Sequence, residues 1–333
     1  MTVSSALLAS SSYDQSIRVW NVGSGDCVES FAHKESQVNV MQFAPDRCHL
    51  AVGGWQLMRL YDIQSAPPSA VSNCDALQKN IMCIGFEDRG QWMYTGGEDC
   101  TAKVWDYRCS LQCQRIFQVS QAVNSVALHP NQVVLFVADS SGALYVWDLR
   151  RDSSETFASF NLEISEYFTH IDINRTGELL TAVTNRGHIL LWSLGTMDTA
   201  SNSNGIIPIK MKTKQNGHEK YALKCHFSPD GQTFVTCGAD GRIIFWDSKD
   251  LSHPSFSLSV DESLPPTIPI QQSTKAASEA KWVWDCAFTN DANYLIAASG
   301  SKLRLWDIER KEVIRYYQGH NKTITSMAFM DAR

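Results

Sequence analysis

His218-Glu-Lys-Tyr221-Ala-Leu-Lys-Cys-His-Phe-Ser-Pro-Asp-Gly-Gln-Thr-Phe-Val-Thr236-Cys-Gly-Ala-Asp240-Gly-Arg-Ile-Ile-Phe-Trp246-Asp247 decides how this chain folds. It holds three short apolar segments. The turns between them are Pro229-Asp-Gly231 and Ala239-Asp-Gly241. Segments of this length bounded by such turns read as antiparallel strands. The ending recurs along the chain as Arg-Val-Trp20-Asn, Arg-Leu-Tyr61-Asp, Lys-Val-Trp105-Asp, Tyr-Val-Trp147-Asp, Leu-Leu-Trp192-Ser, Ile-Phe-Trp246-Asp and Arg-Leu-Trp306-Asp. The steps between the aromatics are 41, 44, 42, 45, 54 and 60 residues. A unit of this size cannot bury its faces alone, so its neighbours must stack on it.

A repeat of about 40–45 residues ending in Trp-Asp is the signature of a WD40 β-propeller. The expected fold is all-β and seven-bladed, with residues 1–333 forming one domain. The first strand of each blade reads as Val38–Phe43, Ile81–Phe86, Val123–Leu128, Phe168–Ile173, Ala222–Phe227, Val283–Phe288 and Ile324–Phe329. The last of these has no second strand after it. The chain in turn begins on a second strand, Ala6 to Ser12. Pairing the two removes a pair of free sheet edges and closes the ring. Two insertions break the period, at 195–205 (Ser/Asn/Gly-rich) and at 261–280 (with Pro265, Pro266 and Pro269). Both are expected to lack regular structure.

The formal net charge is −6, with 29 Lys and Arg and no basic cluster. This argues against a nucleic-acid or anionic-membrane surface. No run of about 18 apolar residues occurs, so no membrane insertion is expected. The opening Met1–Ser12 has no basic leader and reads as a strand rather than a signal core. Ten cysteines are scattered without a Cys-x-x-Cys. Counting alone leaves disulfides open, but the reading taken is a reduced, cytoplasmic protein. Asn174-Arg-Thr176 and Asn321-Lys-Thr323 match the glycosylation pattern by chance on that reading.

A buried indole N–H is donor-only and needs an acceptor. In a WD repeat a Ser or Thr supplies it, a His bridges, and an Asp fixes the imidazole. One complete set is His218, Thr236, Asp240 and Trp246. A second, His320, Ser10, Asp14 and Trp20, exists only if the chain ends meet. Thr95, Asp99 and Trp105 make a partial third without His. Trp55, Ser141, Arg186 and Gly300 stand where the other blades would have Asp. These sets are read as structural, although His218, Asp240 and Thr236 imitate a catalytic group. Phosphate-loop, zinc-protease, nucleophile-elbow and dinucleotide patterns are all lacking. The expectation is therefore no enzyme, no metal and no cofactor.

The residues just before each first strand are expected at the narrow mouth of the central channel. They are Gln37, Asn80, Ala122, Tyr167, Tyr221, Trp282 and Thr323. Two positions on, alternation puts Asn39, Met82, Asn124, Thr169, Leu223, Trp284 and Thr325 on the same face. Tyr167, Tyr221, Trp282 and Trp284 thus gather on three adjacent blades. The amides Gln37, Asn39, Asn80 and Asn124 face them across the ring. Exposed Trp and Tyr are common binding anchors. Separately, Trp105-Asp-Tyr-Arg108 and Trp147-Asp-Leu-Arg150 resemble the docking box of substrate receptors for cullin-RING ubiquitin ligases. The alternative function is therefore a ligase receptor docking through Arg108 and Arg150.

Six stretches carry a closer resemblance. They are Trp92-Met-Tyr-Thr-Gly-Gly-Glu-Asp-Cys-Thr-Ala102, Leu111–Val119, Leu128-His-Pro-Asn-Gln132, Ser36-Gln-Val-Asn39, Tyr221–Asp230 and Trp282–Phe288. Over nearly the whole chain and in the same order, they resemble the small WD-repeat subunit of TOR kinase complexes. That family is also called the G-protein-β-subunit-like protein. The resemblance implies a non-catalytic scaffold subunit of both TOR complexes, seated on the C-lobe of the TOR kinase domain and supporting growth signalling. Its implied partners are the TOR catalytic subunit and other complex subunits, with the propeller itself monomeric. Its implied location is cytoplasmic, or peripheral on endomembranes through the complex. On this reading Trp282, Trp284, Tyr221 and Tyr167 anchor the kinase, and Gln37 and Asn39 match family residues at the same rim. The insertions depart from the family, which leaves contacts there undefined.

Overall fold

The computed structural model describes residues 6–74, 78–108, 111–150, 153–157, 162–195, 207–260 and 282–331. Seven four-stranded antiparallel sheets form a ring of blades. Blade 1 contains Ile324–Met330, Leu7–Ser12, Ser16–Asn21 and Cys27–Ala32. Blade 2 contains Val38–Phe43, His49–Gly54, Met58–Asp62 and Ser69–Cys74. Blade 3 contains Ile81–Phe86, Met93–Gly97, Thr101–Asp106 and Gln112–Gln118. Blade 4 contains Val123–Leu128, Val134–Asp139, Leu144–Asp148 and Ser153–Phe157. Blade 5 contains Phe168–Ile173, Leu179–Thr184, His188–Leu194 and Ile209–Asn216. Blade 6 contains Ala222–Phe227, Thr233–Gly238, Arg242–Asp247 and Phe256–Ser259. Blade 7 contains Val283–Phe288, Tyr294–Ser299, Lys302–Asp307 and Glu312–Gln318.

Six of the seven innermost strands match the sequence expectation residue for residue, and the seventh is one residue longer. Closure is also as expected. Ile324–Met330 pairs antiparallel with Leu7–Ser12, setting Leu8 opposite Phe329 and Ser10 opposite Met327. Gly96 and Gly97 end the second strand of blade 3, and the turn starts at Glu98. The insertions expected at 195–205 (beyond Gly195) and 261–280 lie outside the described residues.

The core is divided among the seams between blades. Neighbouring blades cover both faces of the two middle strands, so these read as continuous apolar runs rather than alternating ones. Leu135, Phe136, Val137 and Ala138 are all fully buried. The seam between blades 7 and 1 holds Trp20, Leu303, Leu305, Tyr317, Ile324 and Met327. The outermost strand of blade 3, Gln112–Gln118, is exposed on most positions, whereas that of blade 6, Phe256–Ser259, is largely buried.

Each blade top is fastened by side chains, and the two predicted tetrads form as read. Trp246 Nε1–H donates to Thr236 Oγ1 (3.0 Å), which lies 2.9 Å from His218 Nε2. His218 Nδ1 is 3.0 Å from Asp240 Oδ1. Across the closure, Trp20 Nε1–H donates to Ser10 Oγ (2.8 Å), Ser10 Oγ meets His320 Nε2 (2.8 Å), and His320 Nδ1 meets Asp14 Oδ2 (3.0 Å). An indole can only donate and a carboxylate can only accept, which fixes the direction of both relays. Burial disfavours the Asp14 carboxylate. Hydrogen bonds from Ser16, the Asn321 N–H and His320 outweigh that and hold its pKa at about 2. In the partial set, Trp105 Nε1–H donates to Thr95 Oγ1 (2.9 Å), and Lys103 Nζ, 2.5 Å from Asp99, replaces the histidine.

Thr236→Val removes one hydroxyl and orphans both Trp246 Nε1–H and His218 Nε2. At about 1–3 kcal/mol per buried unpaired group, the expected loss is roughly 2–6 kcal/mol. Urea unfolding should show it as a lower midpoint, and Thr236→Ser should recover most of it.

The degenerate blades use other chemistry at the same height. In blade 2 a phenol replaces the indole, and Tyr61 OH reaches His33 Nδ1 directly (2.8 Å). Burial, then the Arg59 charge, lowers the His33 pKa to about 4, so this histidine is neutral. In blade 4, Asp139 accepts from Tyr145 OH (3.1 Å) and Ser120 Oγ (3.2 Å). In blade 5 a fully buried Glu166 side chain bridges His188 Nδ1 (2.6 Å) and Lys214 Nζ (2.8 Å). Burial opposes its ionisation, but Lys214, the Glu163 N–H, His188 and Thr184 together lower its pKa to about 2. Its folded pKa therefore lies below the unfolded one. Glu166 stabilises the fold near neutral pH, and that contribution is lost as pH falls from the ordinary carboxylate range toward about 2. The unfolding midpoints of the parent chain and Glu166→Gln, separated at pH 7, should converge on acidification.

Candidate functional site

All seven innermost strands carry a β-bulge, and it falls on the same residue each time. Pairing with the second strand skips Asn39, Met82, Asn124, Thr169, Leu223, Trp284 and Thr325. A bulge leaves its residue outside the ladder and re-aims the side chain. Strict alternation, as applied to the sequence, does not hold at this point. Four of the seven side chains reach across to the first residue of the next innermost strand. Asn124 Nδ2 donates to Phe168 O (2.8 Å), Thr169 Oγ1 to Ala222 O (2.5 Å), Thr325 Oγ1 to Val38 O (2.8 Å) and Asn39 Nδ2 to Ile81 O (3.4 Å). These bonds form a belt around the upper channel mouth.

The predicted amides are thus part of the ring's own bonding. Asn39 also donates to Asn80 Oδ1 (2.9 Å), and Asn80 donates to Glu98 Oε2 (3.0 Å). Gln37 is exposed. Met82, Leu223 and Trp284 have no donor suited to the belt. The last two lie on the seams on either side of blade 7.

The aromatics behave differently. Among the described residues ten large apolar side chains are exposed. Five of them (Val28, Val71, Ile116, Ile314 and Tyr316) lie on outermost strands. Val28, Val71 and Ile314 are skipped in the pairing opposite the terminal aromatic, so outer bulges turn them outward. The other five are all on loops of the belt face. They are Trp55 (50 % exposed), Tyr221 (44 %), Tyr13 (40 %), Trp282 (39 %) and Ile164 (90 %). Tyr167 is half-buried on the same face, its N–H bonded to Asn185 Oδ1 (3.0 Å).

Trp282 and Trp284 pack with ring centroids 5.0 Å apart at 38°. With Tyr13, Gly300 and Thr323 they line a shallow, mostly apolar recess of about 330 Å³ at the seam between blades 7 and 1. Trp284 leans toward blade 1 from the position where other blades place a belt donor. Gly300, at φ 60°, occupies the tetrad-Asp position. The structure therefore joins Trp282 and Trp284 as predicted, places Tyr221 and Tyr167 on the same face, and adds Tyr13, Trp55 and Ile164. Tyr13 was legible as the neighbour of the tetrad residue Asp14. Trp55 had been read only as a missing Asp.

On the opposite face, Arg108 is bidentate on its own Asp106 (3.1 and 3.0 Å), and Arg150 on its own Asp148 (3.1 and 2.8 Å). Each arginine of the docking-box resemblance is thus closed onto the carboxylate two residues before it. No group of three or more His, Cys, Asp or Glu that could hold a metal occurs among the described residues. No helix there is long and apolar enough to cross a membrane.

Comparison with known proteins fits this geometry. The family described as WD domain, G-beta repeat matches residues 2–21, 25–62, 71–106, 111–148, 210–247 and 271–307. The target of rapamycin complex subunit LST8 of Bos taurus is 40% identical over 328 residues, covering 98% of this chain and 95% of that protein. The chain belongs to the LST8 family. The LST8 homolog of Drosophila melanogaster is 33% identical over 328 residues, 98% of this chain and 96% of its own length. The target of rapamycin complex subunit wat1 of Schizosaccharomyces pombe is 33% identical over 250 residues, 74% of this chain and 76% of its own. The repeat matches skip most of blade 5. There Ile164 stands at the histidine position, Ala182 at that of the hydroxyl and Ser193 at that of the final Asp. The chain still forms a four-stranded blade at that place.

Proposed function

We propose that this chain is a non-catalytic scaffold subunit of TOR complexes that binds and steadies the TOR Ser/Thr kinase domain through the belt face. The observation that carries the reading is that, among the described residues, the exposed loop aromatics are confined to that one face, in a chain whose relatives are named as target of rapamycin complex subunits. The Tyr13–Trp282–Trp284 recess is the anchor, and Tyr221 and Tyr167 extend it along blades 6 and 5. Buried aromatic anchors in pockets, ringed by weaker contacts, carry most of the affinity of protein interfaces. Gln37, Asn39, Asn80 and Asn124 occupy the other half of the rim. Asn39 and Asn124 hold the belt in shape, and Gln37 is the exposed polar contact. Such a subunit acts by fixing geometry on its partner and needs no reacting group of its own. It acts in both TOR complexes and resides in the cytoplasm with them. The test is reconstitution of the purified chain with the TOR catalytic subunit. A stoichiometric complex that resists rim substitutions on the Arg108 and Arg150 face, and is lost on substitution of the belt-face aromatics, is the expected result.

A further inference from the structure

The central channel carries most of its charge on one wall. Below the belt it encloses about 520 Å³, by liquid volume room for roughly 17 waters. Blades 5, 6 and 7 contribute His170, Asp172, Lys224, His226 and Asp285. The facing wall holds Gln42, the Tyr94 ring over Gly85, Ala127 and Ala328, and Arg175 and Asp331 also line the channel.

Most of the charged wall has a structural task. The third residue of an innermost strand commonly accepts a backbone N–H from the next blade. Ser125 Oγ accepts from Ile171 (3.2 Å), His170 Nδ1 from Cys225 (3.4 Å) and Asp285 Oδ2 from Met327 (3.3 Å). Asp172 Oδ2 accepts from the Phe227 N–H (2.7 Å). Lys224 is the third residue of its strand but can only donate. The Cys286 N–H in front of it is instead bonded by Asp285 Oδ1 (2.9 Å). Among the described residues no carboxylate lies within ion-pair distance of the half-buried Lys224 ammonium, and its charge acts as far as Cys83 on the facing wall. His226 stands 3.9 Å from Asp172 and 3.7 Å from Asp285, beyond hydrogen-bond reach of either.

Lys224 and Asp285 are third residues of adjacent innermost strands, so they sit at the same height in the channel. One offers a positive charge that makes no ion pair among the described residues. The other, with Asp172 beside it, offers carboxylate oxygens that each hold at most one backbone N–H and keep a lone pair for a further donor. A ligand that satisfies both must carry an anion and a cation close together. We propose that the channel is a binding site for a small zwitterion of amino-acid size, its carboxylate on Lys224 and its ammonium toward Asp285 and Asp172. Its side chain lies against the Gly85, Ala127 and Ala328 wall. The site is separate from the belt face and independent of the kinase reading.

Isothermal titration of the purified full chain with the common amino acids, one at a time, tests it, with acetate and methylammonium as single-charge controls. Saturable binding of at least one amino acid is expected, with neither control competing. Lys224→Met should weaken it by about tenfold or more, and Lys224→Arg should retain it. Urea midpoints of all variants report whether the ring is intact, and Lys224→Gln replaces Lys224→Met if that variant does not fold. Absence of saturable binding by any amino acid overturns the proposal. So does equal binding by acetate, or binding unchanged in the neutral variant.

Discussion

Replacing Trp282 and Trp284 together by alanine is expected to weaken binding to the TOR kinase domain by at least about a hundredfold while the propeller stays folded. Truncating a buried Trp anchor costs about 2 kcal/mol or more, and about 1.4 kcal/mol is a factor of ten. The two rings touch at 5.0 Å, so their effects should not add. Each single variant strips support from the other ring and should lose more than half of the combined effect. Neither indole takes part in a tetrad, and Trp282 is 39 % exposed. The urea midpoint should therefore move little. Surface-immobilised kinase domain and the purified variants give the affinity, with Ile116→Ala on an outermost strand as the surface control. A double variant that binds within a few-fold of the parent chain, with an unchanged midpoint, would remove the recess from the interface. Tyr13→Ala extends the test to a residue that shares the recess from the other side of the seam, and it should lose about tenfold.

Deleting residues 319–333 is expected to abolish the folded monomer. The deletion removes His320 and the innermost strand of blade 1, whose Ile324, Met327 and Ala328 are buried. Burying a large aliphatic side chain contributes about 1.5–3 kcal/mol, so packing alone falls by several kcal/mol against a total stability of about 5–15. Leu7–Ser12 would become an uncovered edge and Trp20 would lose part of its cluster. Open apolar edges lead to association. Size-exclusion chromatography should show aggregates or no soluble protein. His320→Ala separates the relay from the strand. It leaves the strand in place and costs roughly 1–3 kcal/mol, the penalty for one broken buried relay. A truncated chain that runs as a monomer with a native midpoint would show that blade 1 does not need its last strand.

The ring was legible in the sequence because its chemistry is type-specific at fixed spacing. A buried indole needs a hydroxyl ten residues earlier, so Ser10 with Trp20, Thr95 with Trp105 and Thr236 with Trp246 could be paired before any coordinates. His320 could then be assigned to a blade at the other end of the chain. The same rule hid what replaced it. Tyr61 carries its polar atom farther out and meets His33 without an intermediary, so no hydroxyl marks the pair. Glu166 serves as an ionic hub in blade 5, where neither the residue type nor the spacing resembles a tetrad. The belt was missed for another reason. Period-two reading assumes an unbroken ladder, and a bulge at the second residue of every innermost strand breaks it. Asn39 and Asn124 were therefore read as rim residues facing the aromatics across the ring, whereas their amides also tie one blade to the next. The aromatic rim was found because Trp282 lies outside the ladder altogether, and Tyr13 was missed because the tetrad reading of Asp14 consumed its neighbour.

The hydrogen bond between Ser10 and His320 spans 310 residues of chain. During synthesis the first three strands of blade 1 leave the ribosome early and must wait, one edge bare, until Ile324–Met330 has been made. Long-range pairings of this kind fold slowly and expose sticky intermediates meanwhile. The half-built ring therefore presents a bare strand edge to other chains for most of its synthesis. Ile324–Met330 also brings Thr323 beside Tyr13 and Trp284, so the apolar recess at the seam between blades 7 and 1 takes shape only when these two distant segments of chain have met.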